Sequence, residues 1–183
     1  TTAQVKQGLT TTQVASMTTA SLAALSTAQA VSLTADQVTA LTATQVKAIT
    51  TPDLAALTSV QVASISTAGV AALTTDQVVA LTTDQAGNLT TAQLAGMTTK
   101  QVAAMETRDV AALTTAQISK LTETQVAAMT TAQVKAIETA DLVKLTEAQL
   151  QVITTAAVAA MTTDQLANIG SAQISKLTVG QMA

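Results

Sequence analysis

The chain contains no cysteine, histidine, phenylalanine, tyrosine or tryptophan, and only one proline. Without cysteine it can form neither a disulfide nor a thiolate metal site, which leaves its redox compartment undetermined. The absence of histidine, cysteine and tyrosine removes the commonest general base, the thiol nucleophile and the phenol. We therefore expect no enzyme activity, no catalytic or metal-binding residue and no cofactor.

Charge is scarce as well, because charged residues make up 10% of the 183 residues and the formal net charge is −3. Such a surface does not neutralise phosphates, so we do not expect nucleic acid as a partner. The longest uninterrupted apolar run, from Ala156 to Met161, has six residues. A membrane-spanning helix needs about 20. We expect no transmembrane segment.

What fills the chain is an eight-residue repeat that runs from Leu9 to the last residue, as in LTTDQVVA at residues 73–80. Position 1 of this octad is Leu, Met or Ile in all 22 copies, position 2 is Thr or Ser in 19, position 5 is Gln in 16, and position 6 is Val, Leu, Ile or Met in 20. Self-similarity at a fixed period predicts one small unit stacked on copies of itself. The same periodicity makes the position 1 methionines core residues rather than metal ligands. They are Met17, Met97, Met105, Met129 and Met161.

The octad contains a helix start, because Thr or Ser at position 2 followed by Gln at position 5 is the capping-box pattern, as in Thr74 with Gln77. The aliphatic residues at positions 1 and 6 then lie before the cap and at the fourth helical residue, where they form a hydrophobic staple. We interpret positions 3 to 8 as a helix of about six residues and positions 1 and 2 as a reversal. The predicted staples include Leu73 with Val78, Leu113 with Ile118 and Leu145 with Leu150.

The placement of charge supports helices. All eleven acidic residues fall at positions 2 to 5, and six of the eight basic residues fall at positions 7 and 8, with Lys100 and Arg108 as exceptions at position 4. A helix dipole favours acid at its start and base at its end by about 0.3 to 1 kcal/mol per charge. Pro52 falls at position 4, inside the first turn, where a missing N–H costs nothing.

A single continuous helix is excluded, because eight residues advance about 800° and rotate the apolar stripe by about 80° per octad. A six-residue helix is too short to be stable alone, so packing between octads must hold it. The sequence therefore predicts an all-α solenoid or superhelix of very short helices, one per octad. We expect positions 1 and 6 to face inward and positions 2 to 5 to face solvent. A β-solenoid is the alternative fold.

For domain organisation we predict a single repeat array over residues 1–183, with an irregular partial unit at 1–8, twenty-one octads at 9–176 and a partial unit at 177–183. Gly8 is a one-residue insertion, residues 81–88 end in Ala86-Gly87-Asn88, and Gly170 replaces a capping Thr. We interpret these irregular octads as repeat drift that leaves soft spots, with a hinge or ligand notch as the alternative. The chain opens and stops within an octad, so we expect a window from a longer array or ends that neighbours cover.

Few polar residues form a pattern that suggests catalysis or ligand binding. Asp76 and Asp84 share octad position 4 and are eight residues apart, which would suit a calcium or acid–base pair, but the helix dipole already explains both. The Thr-Thr pairs at positions 2 and 3 are predicted to cap helices, with a water- or ice-binding array as the alternative. Two predicted solvated ion pairs join helices: Lys120 with Glu123, and Lys144 with Glu147.

The octads LTTDQVVA, LTTAQISK and MTTAQVKA resemble the degenerate LTTxQVAA octapeptide arrays of very large bacterial proteins described as surface, adhesion or haemolysin-like. The resemblance covers essentially the whole chain. It implies an extracellular or cell-surface structural array, such as a stalk, spacer or filament.

The leading hypothesis for function is accordingly a superhelical rod, stalk or filament-forming segment that associates end to end with other copies of the array. The alternative is an α-solenoid binding module for a protein, peptide or glycan, which needs a patch of variable exposed residues on one face. A more distant alternative is the water- or ice-binding Thr surface. Enzymatic function ranks below all three.

Overall fold

The computed structural model describes residues 8–182, and the side chains of all of these except residues 171 and 172. The partial unit predicted at 1–8, including Lys6, therefore lies outside the described residues apart from Gly8. The chain divides into two compact units, one up to Met97 and one from Thr98 onward. Residues 8–182 contain helices and no strand, which confirms the predicted all-α solenoid and removes the β-solenoid alternative.

Each octad of the first unit forms one short helix. The bounds are Thr11–Ala15, Thr19–Ala23, Thr27–Ala30, Ala35–Thr39, Ala43–Ala48, Thr51–Ala56, Ser59–Ala63, Thr67–Ala71, Thr75–Val79, Thr83–Gly87 and Thr91–Gly96. The second unit follows the same plan. Its helices are Thr99–Ala104, Thr107–Ala111, Thr115–Ile118, Glu123–Ala128, Thr131–Ala136, Thr139–Leu142, Glu147–Gln151, Thr155–Ala159, Thr163–Asn168 and Ser171–Ile174, followed by a 3₁₀ turn at Val179–Gln181.

The helices begin where the capping box predicts. Thr74 precedes the helix Thr75–Val79, its hydroxyl accepts from the backbone N–H of Gln77, and the Gln77 side chain accepts from the Thr74 N–H. Pro52 lies in the first turn of Thr51–Ala56, as predicted. Where position 2 is Glu, at Glu106 and Glu138, the helix forms without a side-chain cap bond.

The helices end within two turns, at positions 6 to 8 of the octad. The position 1 residue of the following octad bonds to the end of the helix. The Leu73 N–H donates to the carbonyl of Val70 at 3.1 Å, and this tightened last turn satisfies one terminal carbonyl. The reversal that follows is extended backbone, with φ −73° and ψ 161° at Thr74. The described residues include none with positive φ, so the turn requires no glycine.

Helices pack on the helix three octads along the chain. In the first unit, Ala43–Ala48 contacts both Thr19–Ala23 and Thr67–Ala71. In the second, Thr131–Ala136 contacts both Thr107–Ala111 and Thr155–Ala159. Side-chain hydrogen bonds between neighbouring turns join residues 25 to 31 positions apart. Within each unit the chain therefore coils with between three and four octads to a turn.

The core of each unit consists of positions 1 and 6, as predicted. Both members of the staples Leu73 with Val78, Leu113 with Ile118, and Leu145 with Leu150 are buried. Four of the position 1 methionines, Met97, Met105, Met129 and Met161, are buried core residues. The irregular octad at 81–88 keeps its helix, Thr83–Gly87, and its position 6 alanine, Ala86, is fully buried.

A longer period of 88 residues, or eleven octads, relates the two units. Position 5 departs from Gln at Ser21, Asp53 and Gly69 and again, 88 residues later in each case, at Asp109, Asp141 and Ala157. The hydrogen bonds repeat with the same period: Gln45 donates to the carbonyls of Val14 and Met17, and Gln133 donates to those of Val102 and Met105. Because bonded residues of neighbouring turns are 25 to 31 apart, eleven octads correspond to about three turns.

Candidate functional site

The most regular polar feature of each unit is the position 5 amide, which joins two turns of the coil. In Gln77, Oε1 accepts from the Thr74 N–H at 2.8 Å, and Nε2 donates to the carbonyl of Ile49 at 2.7 Å. In the second unit, Gln133 accepts from the Thr130 N–H at 2.8 Å. One amide thus caps the start of its own helix and satisfies terminal carbonyls of a helix four octads earlier.

These amides are buried, with exposed fractions of 2% for Gln77 and 1% for Gln133. The expectation that positions 2 to 5 face solvent is therefore wrong for position 5. Very short helices leave most of their carbonyls without an intrahelical partner, and a buried carbonyl must be hydrogen-bonded. The glutamine side chain supplies that donor, and each such bond contributes about 0.5 to 1.5 kcal/mol net.

Aspartate at position 5 replaces this link with a hydroxyl contact. Asp53 accepts from the Thr50 hydroxyl at 2.6 Å and from the Thr27 hydroxyl, 26 residues earlier, at 2.7 Å. Asp141 accepts from Thr115 in the same way. Sequence reasoning gave these carboxylates only a helix-dipole role, because nothing local identifies a partner three octads away.

One surface ion pair joins two turns of the second unit. Lys176 Nζ lies 3.3 Å from Glu147 Oε1, 29 residues earlier, and both side chains are about half exposed. The predicted pairs Lys120 with Glu123 and Lys144 with Glu147 are wrong, since neither is among the ion pairs of the described residues. The coil offsets neighbouring turns by about half an octad, which places the basic end of one octad beside the acidic start of another.

The other ion pairs of the described residues involve Arg108, one of the two basic exceptions at position 4. Its guanidinium lies 2.8 Å from Glu106 and 3.6 Å from the buried Asp109. A cation in the first turn opposes the helix dipole, but here it neutralises two carboxylates of the same turn. This octad combines Glu at the cap with Asp at position 5, and its arginine compensates both.

The residues weighed for metal or hydroxyl chemistry are placed at helix starts. Asp76 and Asp84 are exposed, each at the second residue of its own short helix. Among the described residues no group of three or more carboxylates is arranged to hold a metal ion. Position 2 threonines act as caps. The position 3 threonines Thr27 and Thr115 bond to Asp53 and Asp141 of the next turn, so the Thr-array alternative gains no support.

Two kinds of concavity are present. An enclosed apolar cavity of about 10 Å³ lies in the first unit where Ala30 replaces the usual aliphatic residue and Asp53 replaces glutamine. In the second unit, two open, shallow depressions have volumes of about 430 and 480 Å³. Hydroxyl and carboxylate groups line both, with Thr114 and Glu138 in the first and Thr122 and Glu123 in the second.

Taken together, these features define a helical repeat protein in which positions 1 and 6 form the core, position 2 caps helices and position 5 joins turns. None of the described helices is long and apolar enough to cross a bilayer. The sequence model of the ALTTAQ repeat family matches residues 46–83, 102–136 and 134–171. These segments cover more than half of the chain, which therefore belongs to the ALTTAQ repeat family.

The first and third matched segments lie 88 residues apart at both of their ends, in agreement with the eleven-octad period. Comparison with curated proteins and with solved structures finds no significant match.

Proposed function

We propose that this chain is a structural repeat segment, a superhelical rod or stalk whose length is set by the number of octads. The observation that carries the proposal is the use of the repeated residues in packing: most residues at positions 1 and 6 are buried, position 2 threonines cap helices, and the position 5 amide, as in Gln77, bonds at both ends. No repeated group is left for catalysis, so we propose no enzymatic activity. A rod requires only this regular joining of like units.

The proposed setting is extracellular or at the cell surface, where the rod associates end to end with other copies. The location rests on the resemblance to octapeptide arrays of large bacterial surface proteins. The association rests on the packing itself, because helices of both units pack on other octads of the same pattern, and octads of a second copy carry that pattern too. Protease treatment of intact producing cells tests the location, since an exposed rod is cleaved while cytoplasmic proteins are spared.

Small-angle scattering tests the rod. A variant with a second copy of residues 9–96 inserted after residue 96 should increase the maximum dimension in proportion to the added octads. A chain that stays compact, with a radius of gyration growing as for a globular protein of the same mass, contradicts the proposal.

The second candidate function is a binding module, and the two polar depressions of the second unit are the observation that favours it. Thr114, Thr122, Glu123 and Glu138 present hydroxyl and carboxylate groups suited to the hydroxyls of a glycan. Titration with oligosaccharides tests it. Loss of binding on Glu123→Gln and Glu138→Gln, with Glu147→Gln as the control, supports a local site, and no binding by the unaltered chain rejects it.

A further inference from the structure

Two octads of the chain end in asparagine. The chain has two asparagines, Asn88 and Asn168, and both occupy octad position 8. Both side chains are exposed, and each donates from Nδ2 to the backbone carbonyl of the aspartate four residues earlier at 2.8 Å. The two asparagines are therefore matched in octad position, exposure and local hydrogen bonding, and they differ in the residues that follow them.

The residues after Asn88 complete an acceptor motif for N-linked sugar. Asn88-Leu89-Thr90 has the Asn-x-Thr spacing, whereas the residue two positions after Asn168 is Gly170. The hydroxyl of the third residue is part of what sugar-transferring enzymes recognise together with the asparagine amide. Asn88 has the complete motif, and Asn168 is an internal comparison that lacks the hydroxyl.

The motif lies in the connection between two helices of the first unit. The helix Thr83–Gly87 ends before Asn88, and the helix Thr91–Gly96 begins after Thr90. Asn88 and Thr90 are exposed, while Leu89 between them is 3% exposed. A sugar on Asn88 would therefore project into solvent and leave the core undisturbed.

Transfer of the sugar must precede the packing of Leu89, because the buried leucine holds the connection against the core. The Thr90 hydroxyl is also engaged in the folded chain, where it accepts from the Gln93 N–H at 3.1 Å. The octad before the motif prolongs the open stage. Ala86 buries less apolar area than the larger aliphatic residue that most octads carry at position 6, and Gly87 has low helix propensity.

The amide can keep its structural hydrogen bond after modification. A primary amide has two N–H groups, and Asn88 donates to the carbonyl of Asp84. In the transfer, the Asn88 nitrogen forms a bond to the anomeric carbon of a glycosyl diphosphate ester. The bond between that carbon and the phosphate oxygen breaks, the diphosphate leaves with the electron pair, and the transferase takes one amide proton. The remaining N–H is free to bond to Asp84.

We propose that Asn88 is a site of N-glycosylation, with the sugar supplied as a glycosyl ester of a nucleoside diphosphate or of a lipid diphosphate. Asn88 combines an exposed amide, the Thr90 hydroxyl and a weakly packed octad, whereas Asn168 lacks the hydroxyl. The site goes beyond the proposed structural role, because it requires only that the chain meets a sugar-transferring enzyme.

Tandem mass spectrometry of the chain purified from the cells that make it tests the site. We expect a sugar on Asn88 and none on Asn168. A single sugar indicates a nucleoside diphosphate donor, and a preassembled oligosaccharide indicates a lipid-linked donor. An unmodified Asn88 overturns the proposal. If that unmodified chain is still cleaved by protease on intact cells, the site fails and the proposed location stands.

Substitutions at Asn88 and Thr90, made in the same cells, test the motif by loss. Asn88→Gln should abolish the modification. Thr90→Ser keeps the hydroxyl and should retain the sugar, whereas Thr90→Val should lose it. Far-UV circular dichroism checks that each variant is folded. Modification that survives Thr90→Val overturns the role given to the hydroxyl.

Gly170→Thr tests the motif by gain, because it completes the Asn-x-Thr spacing at Asn168. The added side chain has room, since a Cβ at Gly170 meets no atom within 4 Å beyond its chain neighbours. We expect this variant to carry a second sugar, on Asn168. A Gly170→Thr chain that is modified at Asn88 alone contradicts the assignment of the motif as the deciding feature.

Discussion

The side-chain amide of Gln85 donates to the backbone carbonyl of Leu57, 28 residues earlier, at 2.6 Å. The same nitrogen lies 2.8 Å from the carbonyl of Leu54, and the oxygen of this amide accepts from the Thr82 N–H at 2.9 Å. Both polar atoms of the Gln85 amide are therefore hydrogen-bonded, the oxygen at the start of its own helix and the nitrogen at the end of an earlier helix. A single repeated residue links local helix formation to the stacking of turns.

Replacement of Gln85 by glutamate should destabilise the chain by about 2 to 4 kcal/mol, because a buried carboxylate then faces two carbonyls and the donor is lost. Urea denaturation measures the effect. Gln13→Glu is the matched control at the same octad position, where the side chain is exposed and an acid in the first turn is favourable. Equal effects at the two positions would contradict the role given to the inter-turn bond.

Loss of a single cap should cost about 1 kcal/mol. Thr74→Val removes the hydroxyl that accepts from the Gln77 N–H at 3.1 Å and keeps the branched side chain. Thr75→Val, one position later and exposed, changes the same chemistry without removing a cap. Thermal unfolding of the two variants should separate them by several degrees, with Thr75→Val close to the unaltered chain.

Filling the cavity of the first unit should stabilise it. Ala30→Val adds two methyl groups beside Leu22, Leu33 and Val38, and we expect a gain of about 0.5 to 2 kcal/mol in unfolding free energy. The matched control is Ala86→Val, at the other position 6 alanine, which is fully buried and does not line this cavity. A gain at Ala86 equal to that at Ala30 would refute the cavity as the cause.

The ion pair between Glu147 and Lys176 should contribute little, about 0.2 to 1 kcal/mol, because both side chains are half exposed and screened by water and salt. Glu147→Gln should lower the unfolding midpoint slightly at low ionic strength and leave it unchanged at high salt. Glu123→Gln, at the same octad position and without an ion pair, is the control. A large effect that persists in high salt would argue against a surface interaction.

The sequence predicts what happens inside one octad and misses what happens between octads. Thr74 and Gln77 are three residues apart, so their capping box is readable from spacing alone, and the burial of Leu73 and Val78 follows from it. The partner of the Gln77 nitrogen is Ile49, and finding it requires the number of octads per turn. That number depends on how closely helices pack, which no local pattern contains.

The errors about charge have the same origin. Proximity in sequence predicts a pair between Glu147 and Lys144, but the coil places Glu147 beside Lys176. The acid–base segregation along the octad was interpreted through the helix dipole alone. The half-octad offset between turns gives a second reason for acids at the start and bases at the end of the octad, because it places the two kinds of charge side by side.

The hydrogen bonds that the position 5 glutamine makes to an earlier turn also determine when this protein can begin to fold during its synthesis. The amide of Gln45 bonds to carbonyls that lie 28 and 31 residues earlier, so a nascent chain can make such a bond only when about four further octads have followed those carbonyls. From then on, each newly synthesised octad with glutamine at position 5 can form its hydrogen bonds to an earlier turn as soon as it emerges. Folding on the ribosome should therefore show a delay of about four octads followed by steady growth, which residue-by-residue force profiles of stalled chains can resolve.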